Sequence, residues 1–458
     1  MNSKTSLPDL GRRNFIRSCC AAVGSTGLLS AMAQLRLMGA VAGDSAGDDY
    51  KALVCLFLNG GNDANNLLVP YDTSGYANYA AARTTLALPQ STLLPITPLS
   101  TDGRSYGLHG SVEPLQGLFG AGKLAFLANV GTLVVPTTRA QYEARSVPLP
   151  PQLFSHNDQQ VQWQSSVPDL PFTSGWGGRL ADMTNAFNEN PTLSMSISLD
   201  GQNSFQVGQS VSQFAVSRNG VVNLSGSNNA AGEVRLETLK AVLGQENQHL
   251  FQTAFGELTS SAIDTSALLG EALENAPAIN TAFPEGRLGE QLAMIAQLIS
   301  VAPQFGLKRQ VFFARLGGWD LHDTQIDAHA LLLEEIATGM KAFYDATVEL
   351  GCQNNVTSFT ASDFGRTFNT NGDGSDHGWG SHQMVMGGAV RGGDIYGTMP
   401  VLEINGPDDT GRGRWIPTTS VDEYAATLAS WFGVSPTDLP VVLPNIGRFG
   451  QPDLGFML

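Results

Sequence analysis

Aspartate and histidine recur in this chain beside glycine, just past apolar runs, where side chains can converge on a cation or an ester. Asn59-Gly60-Gly61-Asn62-Asp63 follows one run, and Ser155-His156-Asn157-Asp158 follows another after a long excursion. Gly317-Gly318-Trp319-Asp320-Leu321-His322 closes a third and Ser362-Asp363-Phe364-Gly365-Arg366 a fourth. Ser375-Asp376-His377-Gly378 and Ser381-His382 come shortly after. Glycine lets the backbone turn sharply and approach closely, presenting its neighbours at a strand tip. Aspartate and histidine are the oxygen and nitrogen ligands of zinc, manganese or iron, and aspartate alone suits magnesium or calcium. Converging carboxylates repel one another, so a cation or an arginine is expected among them. Arg366 and Arg391 are candidates for that role, or for gripping an anionic substrate. Ser155, between a strand and a helix start, has the placement of a nucleophile whose oxyanion the helix dipole favours.

Each of these residues has a plainer reading. Asp63 and Asp363 suit helix caps, and Ser155 suits an N-cap at least as well as a nucleophile. His322 and His377 suit hydrogen-bonded structural histidines. Trp163, Trp176, Trp319 and Trp379 read as packing. The loops taken together, rather than any one residue, point to a site.

The elements that must position these loops are legible from the pattern. Residues 51–58 (KALVCLFL) form a continuous apolar run, as for a strand buried on both faces. Similar runs recur at 123–130, 193–198, 310–316, 356–360 and 384–390. Helical periodicity fills 233–258, 285–300, 324–350 and 421–432. Alternation of this kind predicts an α/β fold: a doubly wound, mostly parallel sheet sandwiched by helices, with its site at the carboxyl ends of the strands. Residues 199–232, rich in Gly, Ser and Asn with two-residue alternation, read as a small β-rich insert or cap. The Pro-rich stretch 132–151 reads as an ordered surface excursion.

Arg12-Arg13 stand before a weakly apolar stretch and Ala40-Val41-Ala42, the pattern of a twin-arginine export signal over residues 1–42. The expected mature chain, 43–458, is a single domain, periplasmic or secreted, with the twin-arginine machinery as partner and no stable membrane span. The whole chain carries 25 Lys+Arg against 41 Asp+Glu, for a net charge of -16, with six lysines. That charge excludes nucleic acid as a natural partner. Cys19 and Cys20 fall in the leader; Cys55 and Cys352 are either one disulfide or two separate thiols. There is no CxxC pair, so a thiolate zinc site or iron–sulfur cluster is excluded.

The leader, LFLNGGNDANNLLVPYD, LFSHNDQQVQWQ, SGWGGRLAD, GGWDLHD, SDFGRT and SDHGWGSHQMVMGG, in this order over nearly all of the expected mature chain, resemble the bacterial family known as domain of unknown function 1501. That family is similar to a distant branch of the alkaline phosphatase and sulfatase superfamily. The resemblance implies a doubly wound sandwich with two metal ions at the strand ends. It implies Asp63 as first-strand ligand, Ser155 as nucleophile and Asp363 heading a later pair. Asp320 and His322 would serve the other metal, with His377 or His382 as the last histidine. Phe364 stands where the pair's histidine is usual, and Asp376-His377 is an alternative source of it.

Two functions follow as expectations. The first is an exported hydrolase of phosphate or sulfate esters, with a small anionic ester as substrate. Its divalent zinc, manganese or calcium would be held by Asp63, Asp320, His322, Asp363, Asp376 and His377, and Ser155 and Arg366 would be catalytic. The second is a non-catalytic exported binding or envelope-assembly protein that keeps the fold.

Overall fold

The computed structural model describes residues 50–189, 193–221, 230–245 and 249–458. The expected export signal, 1–42, lies outside them. Residues 50–458 form one compact unit.

The six apolar runs become the strands β1 (Lys51–Asn59), β2 (Leu124–Gly131), β3 (Ser196–Ser198), β5 (Arg309–Gly317), β6 (Val356–Ser362) and β7 (Ser381–Gly387), and three two-residue strands not marked by such runs join them: β4 (Phe214–Ala215), β8 (Ile395–Tyr396) and β9 (Thr419–Ser420). They make one sheet in the order β8-β2-β7-β6-β1-β5-β3-β4, with β9 also beside β2. Successive side chains of β1 go to opposite faces. Val54, Leu56 and Leu58 join one core, and Leu53, Cys55 and Phe57 the other. A run apolar on both faces therefore needs a helix layer on each.

The first layer holds α2 (Glu113–Gly120), α5 (Arg287–Val301) and α6 (Gln325–Glu349), which bury Leu115, Leu292, Ile295, Leu333, Ile336 and Met340. The second holds α3 (His156–Ser165), α4 (Trp176–Thr184) and α7 (Val421–Phe432), which bury Trp163, Trp176, Leu180, Tyr424 and Leu428. A capping box between Ser420 and Glu423 starts α7. The remaining helix used below, α1 (Thr73–Arg83), packs beside a small antiparallel sheet of Leu68–Pro70, Leu94–Ile96 and Tyr106–Leu108.

The α/β class and the mostly parallel sheet are as predicted, and three details differ. β7 runs antiparallel to both β2 and β6. The segment ahead of β7 therefore lies at the carboxyl ends of the parallel strands, and Arg391, beyond β7, lies at the opposite edge and away from the site. The described part of residues 199–232 contributes the edge strand β4, a bridge between Ser217 and Gly220 and, from Ala230, the start of a helix; residues 222–229 lie outside the described residues. The helical pattern at 233–258 is two helices, Ala230–Leu243 and Leu250–Glu274, with Gly244 just past the end of the first. Cys55 and Cys352 do not form a disulfide with each other; one packs on each face of the sheet. No helix among the described residues is long and apolar enough to cross a membrane.

Two buried histidines set an acid limit on this fold. His329 bonds Asn62 through Nε2 (3.0 Å), and His382 accepts the Asn129 N–H through Nδ1 (3.0 Å). Burial lowers their pKa from 6.5 to about 3 and about 4 respectively. Both stay neutral in the fold, so the unfolded chain binds more protons below pH 6.5. Their stabilisation is complete above that pH and falls by about 1.4 kcal/mol per unit per histidine as pH drops from 6.5 toward 4. Urea midpoints at pH 7.5, 6 and 5 should show this decline, and His382→Gln should remove about half of its slope, leaving the His329 share.

Candidate metal centre

The register places the site. Asn59 pairs with Gly317 and Leu58 with Ser362, so the ends of β5, β1 and β6 lie side by side. The loops beginning Gly60, Gly318 and Asp363 leave the sheet together. Gly60 (φ 124°) passes so close to the third loop that a Cβ would stand 2.4 Å from the Asp320 amide nitrogen. Only glycine fits there.

Three side chains converge above these ends, and a fourth, His322, lies against two of them. His156, Asp320 and His377 each offer a donor atom within 4.8 Å of the others. His156 Nε2 stands 3.1 Å from His377 Nε2 and 3.3 Å from Asp320 Oδ2. His322 Nε2 stands 3.0 Å from His377 Nε2 and 3.0 Å from Asp320 Oδ1. Ligands about 2.0–2.1 Å from a tetrahedral zinc lie about 3.3 Å apart, so this spacing has the scale of one coordination shell.

The far side of each ring shows which nitrogen faces inward. His156 Nδ1 lies 2.7 Å from Asp363 Oδ2 and His377 Nδ1 lies 2.7 Å from the Phe154 carbonyl. Both partners are acceptors, so each Nδ1 carries the hydrogen and each Nε2 points a lone pair inward. His322 Nδ1 lies 3.4 Å from Asp376 Oδ1. Inward lone pairs about 3 Å apart repel unless a proton or cation sits among them. A ring N–H turned outward to a carboxylate or carbonyl is the arrangement that orients metal-binding histidines.

The electrostatics agree. The Asp363 hydrogen bond raises the His156 pKa against the opposing effect of burial, whereas burial lowers that of His377. Burial acts to raise Asp320, but the Arg366 hydrogen bond and charge and the nearby histidines outweigh it and hold the carboxyl below its usual value.

The sequence candidates separate into groups. Asp320, His322 and His377 offer inward atoms. Asp363 is buried and accepts from His156, Gln160 and the Gly60 N–H, so it orients His156. Asp376 stands behind His322, paired with Arg412. Arg366, buried, donates to Asp320 (2.7 Å), Gly60 and Ser375. It positions Asp320, and its donors are turned to the protein. Ser155 occupies the N-cap position of α3 without a side-chain capping bond, and its Oγ donates instead to Asp158 (2.6 Å). Asp63 is held elsewhere: Arg83, Asn65 and Gln325 surround its carboxylate, with Arg83 as the neutralising cation. His382 is the buried structural residue described above. Phe364 lines the site, its ring 4.7 Å from His156 and 4.6 Å from His377.

His156, for which motif spacing implies no role, brings in the nitrogen that Phe364 does not supply. Its only sequence signal is its place directly after Ser155 at a helix start. Asp363→Asn should weaken zinc binding by roughly tenfold to a hundredfold, the usual cost of losing an orienting partner. Competition titration with a chromogenic chelator measures it, and unchanged affinity would remove Asp363 from the centre.

Fold and cluster thus define an α/β protein with a candidate metal centre at the carboxyl ends of its central strands. The chain belongs to the family described as Protein of unknown function (DUF1501), whose model matches residues 50–437. No curated protein matches it. Among solved structures it is similar to the C-terminal periplasmic domain of EcEptC from Escherichia coli in complex with Zn, at 12% identity, covering 91% of this chain and 94% of that one with a TM-score of 0.36. It is also similar to the PsFucS1 sulfatase from Pseudoalteromonas sp., at 11% identity, 90% and 72% coverage and a TM-score of 0.35. A third is the phosphonate monoester hydrolase of Agrobacterium radiobacter, at 9% identity, 85% and 77% coverage and a TM-score of 0.32.

Proposed function

We propose that this protein is an exported, metal-dependent hydrolase of phosphate or sulfate esters, with His156, Asp320, His322 and His377 holding one divalent ion. The observation that carries the reading is the convergence of three imidazole Nε2 atoms on one carboxylate, two of the rings with Nδ1 hydrogen-bonded outward and the third backed by Asp376. Three nitrogens and a carboxylate suit zinc, or manganese or iron, better than calcium, which takes oxygen ligands. The ion supplies Lewis-acid polarisation of an ester oxygen.

The chain's own residues do the rest. Asp363 and the Phe154 carbonyl hold His156 and His377 in their inward tautomers, and Arg366 holds Asp320. Ser155 is the nucleophile of this reading, with Asp158 placed to take its proton. A cleft of about 170 Å³ beside Gln160, lined also by Phe57, Gln164, Asn203 and Arg315, gives room for the non-reacting end of a small ester. The leader motif around Arg12 and Arg13 makes the twin-arginine machinery the export partner and the periplasm or exterior the destination.

The second reading, a non-catalytic binding or envelope-assembly protein, is favoured by one observation. The two-metal set implied by the family resemblance is not assembled, because Arg83 takes Asp63 and Phe364 replaces a histidine. Assays with 4-nitrophenyl phosphate and 4-nitrophenyl sulfate separate the two. Turnover that vanishes with chelator, returns with zinc and is lost in Ser155→Ala supports the hydrolase. A zinc-loaded protein that cleaves neither ester supports the binding protein.

A further inference from the structure

We propose that Arg412 and Arg414 form the grip for the anionic group of the ligand; this rests on the site assignment above and adds the element that the site otherwise lacks. An anionic ester needs a cation with free donors, and Arg366 cannot serve because it is buried with its donors turned to Asp320, Gly60 and Ser375. The loop through residues 409–415 brings two other guanidinium groups to the rim. Arg412 Nη1 lies 2.6 Å from Asp376 Oδ2, and the other oxygen of Asp376 faces His322. Arg412 is about half exposed, at 48%. Arg414 donates from Nε to the His377 carbonyl (2.9 Å) and lies 4.4 Å over the Phe154 ring, whose residue also holds His377. The two arginines therefore stand behind two of the three converging histidines.

The loop is built to hold them there. Asp409, fully buried, accepts through Oδ1 the N–H groups of Gly411 (2.7 Å), Gly413 (2.8 Å) and Arg414 (3.0 Å), and through Oδ2 that of Asn405 (2.8 Å). This brace keeps Arg412 at φ 65°, a left-handed conformation rare outside glycine. The Gly413 carbonyl accepts the Phe368 N–H, and a Cβ at Gly413 would stand 2.2 Å from that of Phe368. The loop is thus fixed against the strand Arg366–Thr370, which carries Arg366. A doubly charged phosphate competes well with the single carboxylate of Asp376 for the Arg412 guanidinium.

Titration of inorganic phosphate into the full-length protein, zinc-loaded and zinc-free, tests this. Arg412→Gly, which suits the left-handed backbone, and Arg414→Lys, which keeps a long stem over Phe154, should each weaken phosphate binding on the order of tenfold or more, with zinc content unchanged. Arg391→Ala, at the opposite edge of the sheet, should change nothing. Phosphate affinity unaltered in both loop variants overturns the grip while leaving the metal centre standing. If the wild-type chain binds no zinc, the metal reading falls, and the zinc-free titration still decides. Affinity lost in Arg412→Gly upholds the grip, and affinity absent or unaltered overturns it.

Discussion

His377→Ala is expected to empty the metal centre. The wild-type chain, purified and dialysed against buffer, should carry about one equivalent of zinc, and the variant close to none. The imidazole is the hub of the cluster: its Nε2 lies 3.1 Å from that of His156 and 3.0 Å from that of His322. Its loss removes a ligand and breaks both contacts, so affinity should fall well beyond the roughly 10–100-fold that losing an orienting partner costs. Elemental analysis and competitive chelation read this directly. The Phe154 carbonyl would lose its donor, but it sits in a half-exposed loop where water can replace the ring N–H. Equal zinc in the two proteins would end the assignment. A wild-type chain with no zinc, manganese or iron would turn these histidines into a structural cluster and favour the binding protein.

The second large effect is on stability. Arg83, fully buried, neutralises Asp63, which is 2% exposed, and donates to the carbonyls of Thr367 (3.1 Å) and Phe368 (3.2 Å). The pair ties α1 to the first site loop and to the Arg366 strand. Arg83→Ala leaves the carboxylate buried with only Asn65 and Gln325 as polar partners, so a loss of about 3–5 kcal/mol is expected. Arg83→Met with Asp63→Asn should recover much of it, because no uncompensated charge then remains buried. Urea unfolding of the single and double variants decides. A cost below about 1 kcal/mol for Arg83→Ala would show that water reaches Asp63 when the guanidinium is gone, at odds with its burial.

Much of the architecture was written in local pattern. A run such as KALVCLFL, apolar at every position after its opening lysine, can only be a strand covered on both faces, and its alternation with helical periods demanded a doubly wound sheet. The glycine-flanked loops after residues 58, 316 and 360 marked the carboxyl ends of three adjacent strands, and Asp320, His322 and Asp363 do stand there. Asp376 and His377 stand there as well, although they precede the antiparallel β7 rather than follow a parallel strand.

The amino-acid sequence alone thus determined the fold class, the edge of the sheet that carries the site, and the chemistry of its candidate ligands. Side-chain type and two- or 3.6-residue periodicity are local properties, and burial acts on them position by position. Tertiary structure alone decided which candidates meet. His156 arrives across a long excursion, Arg83 claims Asp63 from twenty residues away, and Phe364 packs against two rings in place of a ligand. Arg391 falls on the far edge because one strand reverses, and the Asp409 brace swings Arg412 and Arg414 to the rim in its stead. Convergence within about 3 Å depends on strand order, strand direction and loop path together, and none of these is encoded in the spacing of any single motif.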